Sequence, residues 1–587
     1  MWCLPKYLAN EFLGKLKDGS IDPQKLSQMS SAERRAFFNF LGEENAKQAN
    51  TLFESKLLLK NQQQGMITWA KQIGGLTPKA QRDIIARVNK MDEVLNPASE
   101  KAFLEDLAEH KLGTAVTMEE AAKISQLAKE STDKLKIMES SKRREFGEPP
   151  TATEMDYGYA RTDFAQYVND LKTDASKMTI AEMKANKLEA IKRGLGHIPG
   201  MAKSAKATLD NSALLRQGWR TLLTHPSVWY KNSVQSFIDI AQTLGGKNVM
   251  REVNADIVSR PYYENYIKDE LAVSVVEEAF PDSKMLEKIP GVGRLHKASE
   301  AAFTAFAHRN RADLYDLYTE IAKNSGMEET TGQGLGRLVN SLTGRGNLGS
   351  WERNATMINN VFFSPRLIKS HLDVLGLGAQ GLAEGALRLI GKENLIPKSE
   401  VYSEFVKKQA AINLVKIIGG TASVLVLANA VMPGSVETDP RSSDFGRIKA
   451  GDTRFDVTGG MSSVLVLAAR LATMSSKSTN TGEVTSLWSG GYKAKTGLDV
   501  VEGFLENKLS PTGGLIRDLL KGYDYDYKPI TVGGEIKNMF APLPITNTIE
   551  LYQSPNGAPV LLGAIADALG ISTNTYAPKA KKTVITQ

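Results

Sequence analysis

The sequence predicts a mostly α-helical, multi-domain protein with one small β-hairpin near residues 445–457. Three observations predict it. Helix-start signatures recur through the first two hundred residues, and apolar residues repeat at helical spacing between them. Only one stretch, TDPRSSDFGRIKAGDTRFDVTGG (438–460), alternates charged and apolar residues around a turn. At 587 residues the chain exceeds one ordinary core. It divides into an N-terminal helical region (1–150), a central helical region with a basic segment (151–350), a helical region ending in an apolar helix (351–433) and a C-terminal domain (434–587).

Each element has a local cause. The opening MWCLPKYLANEFLGKLKDG reads as a short amphipathic helix, without the basic and apolar regions of a signal peptide. Ser30 with Glu33 makes a capping box whose helix can close at Gly42. Thr77 and Pro78 supply an N-cap and an N1 proline ahead of Ile84, Ile85, Val88, Met91 and Leu95, which recur at helical spacing. Thr117 with Glu120 and Thr179 with Glu182 repeat the capping box. The polar, proline-bearing ESSKRREFGEPPTATEMDYGYA (139–160) reads as a first linker. Phe303, Phe306, Leu314, Leu317 and Ile321 fit the buried stripe of a long helix, which a glycine-rich stretch at 326–350 ends. Helix resumes after Ser364-Pro365, reaches an apolar segment at 410–432 and stops at Pro433. Beyond the hairpin lie an apolar helix at 462–472 and short helices separated by Gly, Pro and Asn.

Little in the sequence suggests catalysis. The only cysteine, Cys3, rules out an intrachain disulfide framework and a cysteine-based zinc finger. The six histidines (His110, His197, His225, His296, His308, His371) are scattered, without the clustering that metal sites need. Gly344-x-Gly346-x-x-Gly349 lacks the preceding strand of a dinucleotide fold, and Gly376-x-Gly378-x-x-Gly381, though better placed, follows a segment that carries His371 and Asp373 with no run of βαβ units around it; both read as flexible helix junctions. Asp524 and Asp526 form a carboxylate pair that an exposed turn explains equally well. A calcium site built from Asp439, Asp444, Asp452 and Asp456 is opposed by four neighbouring bases and by the wrong loop spacing. The expectation is a non-enzymatic protein with no cofactor.

Binding features are clearer. The formal charge of +7 points to polyanion partners. Residues 184–232 hold nine bases against two acids, interleaved with Trp219, Trp229 and Tyr230. Lys203, Lys206, Arg216 and Arg220 are the expected contacts to nucleic acid or an anionic membrane, against the alternative of a solvated face with its aromatics packed inward. Residues 417–432, which include Ile417, Val424, Leu425 and Leu427, carry no charge and span about 24 Å as a helix, short of a hydrocarbon core of about 30 Å. Gly419 and Ser423 would admit a partner helix, with 462–472 as the candidate. The segment is expected to lie buried in the stored protein and to enter lipid only after rearrangement, the alternative being a permanent core helix.

In the hairpin, FGRIK and TRFDV flank an AGD turn in which Gly451 can take a positive φ. Phe445, Arg447 and Lys449 are expected on one face, and cross-strand charge pairs are expected to set register at about 0.2–1 kcal/mol each. The stretch GSVETDPRSSDFGRIKAGDTRFDVTGG, followed by SSKSTNTGEV, ENKLSPTGGLIRDLLKG and APLPITNTIELY, resembles the C-terminal domain of large polyvalent proteins of tailed bacteriophages. DNSALLRQGWRTLLTHPSVW, RPYYENY, EEAF, LTGRGNLG and NNVFFSPRL resemble the helical region that precedes it, so the likeness covers roughly residues 205–580. The resemblance implies cargo carried in the virion interior and delivered to the host cell with the genome. Its implied partners are other virion proteins or further copies of itself, phage DNA and the host membrane. The alternative is a phage protein made in the infected cell's cytoplasm that binds nucleic acid or a host factor. The hairpin then reads as scaffold on an assembly or docking surface.

Overall fold

The computed structural model describes residues 6–18, 20–23, 26, 31–72, 85–90, 118–175, 202, 213–273, 292–327, 334–396, 401–479, 481–488, 495–524, 529–540, 543–554 and 556–576. In chain order they form α1 (Lys6–Lys17), α2 (Ser31–Asn39), α3 (Glu43–Gln72), α4 (Met118–Ser140), α5 (Ala152–Ala175), α6 (Trp219–Thr224) and α7 (Pro226–Leu244). There follow α8 (Val249–Val258), α9 (Tyr263–Lys268), α10 (Val292–Asn324), α11 (Leu335–Leu342), α12 (Ala355–Val361), α13 (Pro365–Leu389) and α14 (Glu404–Val431). The hairpin β1 (Arg447–Ala450) and β2 (Thr453–Asp456) leads to α15 (Met461–Thr473), β3 (Ser475–Lys477) and β4 (Val484–Ser486). The last elements are α16 (Gly497–Glu506), α17 (Pro511–Lys521), α18 (Val532–Phe540), α19 (Leu543–Gln553), α20 (Val560–Leu569) and β5 (Ser572–Thr575). The protein is mostly α, as its sequence predicts. The capping signatures at Ser30, Thr77, Thr117 and Thr179, and with them Ile84, Met91 and Leu95, lie outside the described residues.

Two compact units emerge, one of residues 1–133 and 163–178, the other of 134–162 and 179–587. In the first, α1 buries Ala9, Leu13 and Leu16, a helical stripe, against Phe38, Leu41 and Phe53. Edge-on rings fill this core, Phe12 on Phe37 at 5.6 Å and Phe38 on Phe53 at 6.0 Å. Gly42, at φ +86°, turns the chain between α2 and α3.

The second unit is centred on α10, which packs against α7 and α8. Its buried face holds Phe306, Leu314, Tyr315 and Tyr318, but His308, Asn310, Arg311 and Asp316 are buried there too. Burial of polar groups requires partners, and most have them. Arg260 reaches Asp256 at 2.9 Å, Asp313 at 2.8 Å and Asp316 at 3.0 Å. Asp256 is held by Arg144 as well, at 2.5 Å, and Arg143 donates to Glu154 at 2.8 Å and to the Ser259 carbonyl at 2.6 Å. The expected linker at 139–160 is therefore corrected. Residues 152–160 begin α5, and the loop before it is fastened to α8 by two arginines.

Helices α13 and α14 form an intimate pair, and a glycine pattern makes it. A Cβ at Gly381 would lie 2.2 Å from the Lys407 carbonyl oxygen, and one at Gly378 would lie 2.6 Å from Leu414 Cβ. These glycines sit inside α13, so the reading as a flexible junction is corrected: they let two backbones approach. Lys407 and Glu384 close the pair with a buried ion pair at 2.7 Å.

The hairpin forms where the alternating pattern places it, with Arg447 opposite Asp456 and Lys449 opposite Arg454. A third strand, β5, extends it in the order β1-β2-β5. The expected cross-strand ion pairs are not what fixes it. Arg454 turns instead to Asp444 at 2.8 Å, both residues being buried, and donates to the Gly451 carbonyl at 3.0 Å.

Candidate membrane-binding helix and polyanion segment

Helix α14 has two unlike halves. Ser403 caps it, accepting from Val406 N–H at 3.2 Å. From there to Ile417 it is a core helix, burying Phe405, Val406, Ala410, Ala411, Asn413, Leu414 and Ile417. Lys416 marks the change, donating its ammonium to the Thr224 carbonyl at 3.2 Å. Beyond it the helix continues without charge but largely without cover. Val426 is 69% exposed, Leu427 66% and Val431 73%, with Ile418 and Met432 also exposed. Val424 and Leu425 are half-buried.

Among the described residues, the cover of this second half comes from α6 and from the chain just beyond the helix's own C-terminus. Leu223 packs at Gly420, Trp219 Nε1–H donates to Thr421 Oγ1 at 3.4 Å, and Ser435 Oγ reaches the Ala428 carbonyl at 3.4 Å. Apart from its own helix, no described atom lies within 4 Å of where a Cβ at Gly419 would stand, and Ser423 Oγ donates back to the Gly419 carbonyl. The expected docking of 462–472 onto Gly419 and Ser423 is corrected, since α15 packs on α13 and α16. Expected burial of 410–432 holds only as far as Ile417. Among the described residues α14 alone is long and apolar enough to cross a membrane by length and composition, and only 22% of its most apolar stretch is buried.

The basic segment comes apart in the fold. Lys203 and Lys206 lie outside the described residues. Arg220, 2% exposed, faces inward, donating to the Leu342 carbonyl at 3.2 Å and to Ser370 Oγ at 3.1 Å. Its third partner is His371 Nδ1 at 2.8 Å, so the ring is neutral at that nitrogen. Burial without a carboxylate pulls the guanidinium down to about 9 and holds His371 well below its ordinary range. Arg220 is thus a core residue, which corrects its assignment to a polyanion-binding face: a buried guanidinium with all three neighbours internal has no path to a phosphate. Trp219 is buried and Trp229 Nε1–H donates to the Leu214 carbonyl at 2.6 Å, while Tyr230 is exposed. Arg216, in a π-helical turn at Ala213–Gln217, is the one expected contact that reaches a concave surface, a cleft beside the hairpin.

The acids of the hairpin region do not converge. Asp439 is taken by Arg441, Asp444 by Arg454, and Asp456 by Thr458 and Ser462. Asp452 accepts from Ser554. Among the described residues no group of three or more His, Cys, Asp or Glu side chains could hold a metal ion. No protein-family model matches the chain, and no curated protein or solved structure matches it either.

Proposed function

We propose that this chain is a non-enzymatic tailed-bacteriophage protein, carried in the virion and delivered with the genome, that engages the host membrane through the second half of α14. The single observation behind the membrane role is the uncharged, largely uncovered helix beyond Lys416. An exposed apolar patch of this kind marks an interaction surface. Lipid suits it because the run carries no charge, stops at Pro433 and begins at a lysine able to snorkel. The motifs resembling polyvalent phage proteins support the packaging role.

Two measurements test the reading. Mass spectrometry of purified particles should find the chain in the virion. Its absence there, with expression during infection, would favour a protein made in the host cell. Flotation with vesicles containing anionic lipid should carry the parent protein upward and leave Leu427→Arg behind, because a charge at the centre of an inserted helix costs about 2.5–3.5 kcal/mol. Equal flotation of both, or of neither, would remove the membrane role.

A further inference from the structure

A cleft of about 970 Å³ opens between the start of α13, the hairpin, the N-terminus of α15, and the α16–α17 junction. Its volume is that of a small-molecule site. Arg216, Lys495 and Arg517 line it, and so do three cations from three separate elements: Arg447 on β1, Arg470 on α15 and Lys508 after α16. None of these last three has a carboxylate partner within ion-pair distance among the described residues. Arg447 makes no side-chain hydrogen bond there, and its Nε is buried and unsatisfied. Lys508 donates only to Ser463 Oγ, at 3.1 Å. Arg470 donates to the Arg441 carbonyl at 2.7 Å and to Ser443 Oγ at 2.9 Å.

The cleft's acids are otherwise engaged. Asp456 serves Thr458 and Ser462, Asp499 caps α16 through Thr496, and Glu506 and Asp518 hold Arg517. Glu535 is the remaining acid, its carboxyl raised by burial and by the neighbouring Asp518 and Asp524. The backbone around Lys508 is fixed, since Phe363 N–H donates to the Lys508 carbonyl at 2.9 Å and Ser510 N–H to the Val361 carbonyl at 2.7 Å. Burial, together with the neighbouring Arg447 and Arg216, depresses the Lys508 ammonium, while Asp456 opposes the effect.

Half-buried cations held near one another without an ion-pair partner are costly unless an anion joins them, and Asp456 offsets that cost for Lys508 only in part. We infer that this cleft binds a small organic phosphate, its phosphoryl oxygens on Arg447 and Lys508 and its organic part against Phe504, Leu467 and Tyr576. A tetrahedral dianion accepts from several directions at once, which suits a guanidinium fork and an ammonium arriving from different elements better than a planar carboxylate does. The apolar walls distinguish an ester from bare phosphate. This site is separate from α14 and does not depend on the membrane role.

Calorimetric titration of the full chain at fixed ionic strength tests it, with inorganic phosphate, AMP and dihexanoyl phosphatidate as probes and chloride as control. AMP or the short-chain phosphatidate should bind saturably and more tightly than inorganic phosphate, the tighter of the two identifying a free nucleotide or a lipid headgroup as the source. Arg447→Gln and Lys508→Gln should each weaken binding at least tenfold. Neither removes the partner of a carboxylate, so both should melt at or above the parent temperature without ligand; if Lys508→Gln fails to fold, Arg447→Gln decides alone. No saturable binding by any probe, or unchanged affinity in Arg447→Gln, would overturn the inference.

Discussion

Arg454 looks in the sequence like one of several surface charges and is instead a buried partner of Asp444. Its loss leaves a carboxylate whose Oδ1 already lacks a partner, so Arg454→Ala should cost roughly 3 kcal/mol rather than the fraction expected of an exposed pair. Replacing both residues by apolar ones, Asp444→Leu with Arg454→Met, should recover most of it. Urea titration of the parent and the two variants decides the point, and a cost below about 1 kcal/mol for the single change would return the pair to the surface. The histidines make a pH prediction. Burial lowers His308 to about 3 and His225 to about 4, and His371 is depressed as well. Above the unfolded value near 6.5 both states are neutral and nothing is gained or lost; below it the unfolded chain takes up protons that the native state refuses. Stability should therefore fall from pH 6.5 toward 4. Asp316, raised to about 6 by burial, works the other way over part of that window, as do Asp269, Asp567 and Glu535, which burial also raises. Asp256, Asp313 and Glu154, held down against burial by their arginine and hydrogen-bond partners, add to the fall at its acid end. In His308→Gln the drop in melting temperature between pH 7 and 5 should shrink, whatever its value at pH 7. An unchanged drop would mean His308 is protonated in the native protein. None of these burials was visible locally. Arg220 lies in a basic, aromatic run, and its partner His371 lies far away in the chain.

At the level of elements, what the sequence makes legible is local. Helix periodicity, the Ser364-Pro365 start of α13, the stop at Pro433 and the alternating hairpin are all set by neighbours in the chain. Strand β5, Ser572–Thr575, is not legible, because four polar residues show no alternation of apolar and polar, and what orders them is pairing with β2 and the bonds from Thr573 to Asp567. The glycines of α13 look like breaks in the sequence, because their purpose lies in the helix they face. Gly381→Ala should push α13 from α14 and destabilise by several kcal/mol through backbone collision. Gly385→Ala, on the same helix with open space beside it, should stabilise by up to about 1 kcal/mol. Chemical denaturation of the two variants checks the contrast. Equal effects would mean that the helices do not approach through Gly381.

For the molecule as a whole, the predicted class holds and the predicted sites are rearranged. A segment that composition makes uniformly basic divides into a core arginine, a cleft arginine and residues outside the described set. A segment that composition makes uniformly apolar divides at Lys416 into a core helix and an open one. The difference between those two halves is the central claim, and an environment-sensitive fluorophore reads it directly. With Cys3 replaced by Ser, single cysteines at Leu427 and at Lys408, exposed on the two halves of α14, would each carry the nitrobenzoxadiazole label. On addition of anionic vesicles the label at 427 should shift to the blue and be quenched by nitroxide lipids, while the label at 408 should stay in water. No shift at 427, or equal shifts at both positions, would contradict the account.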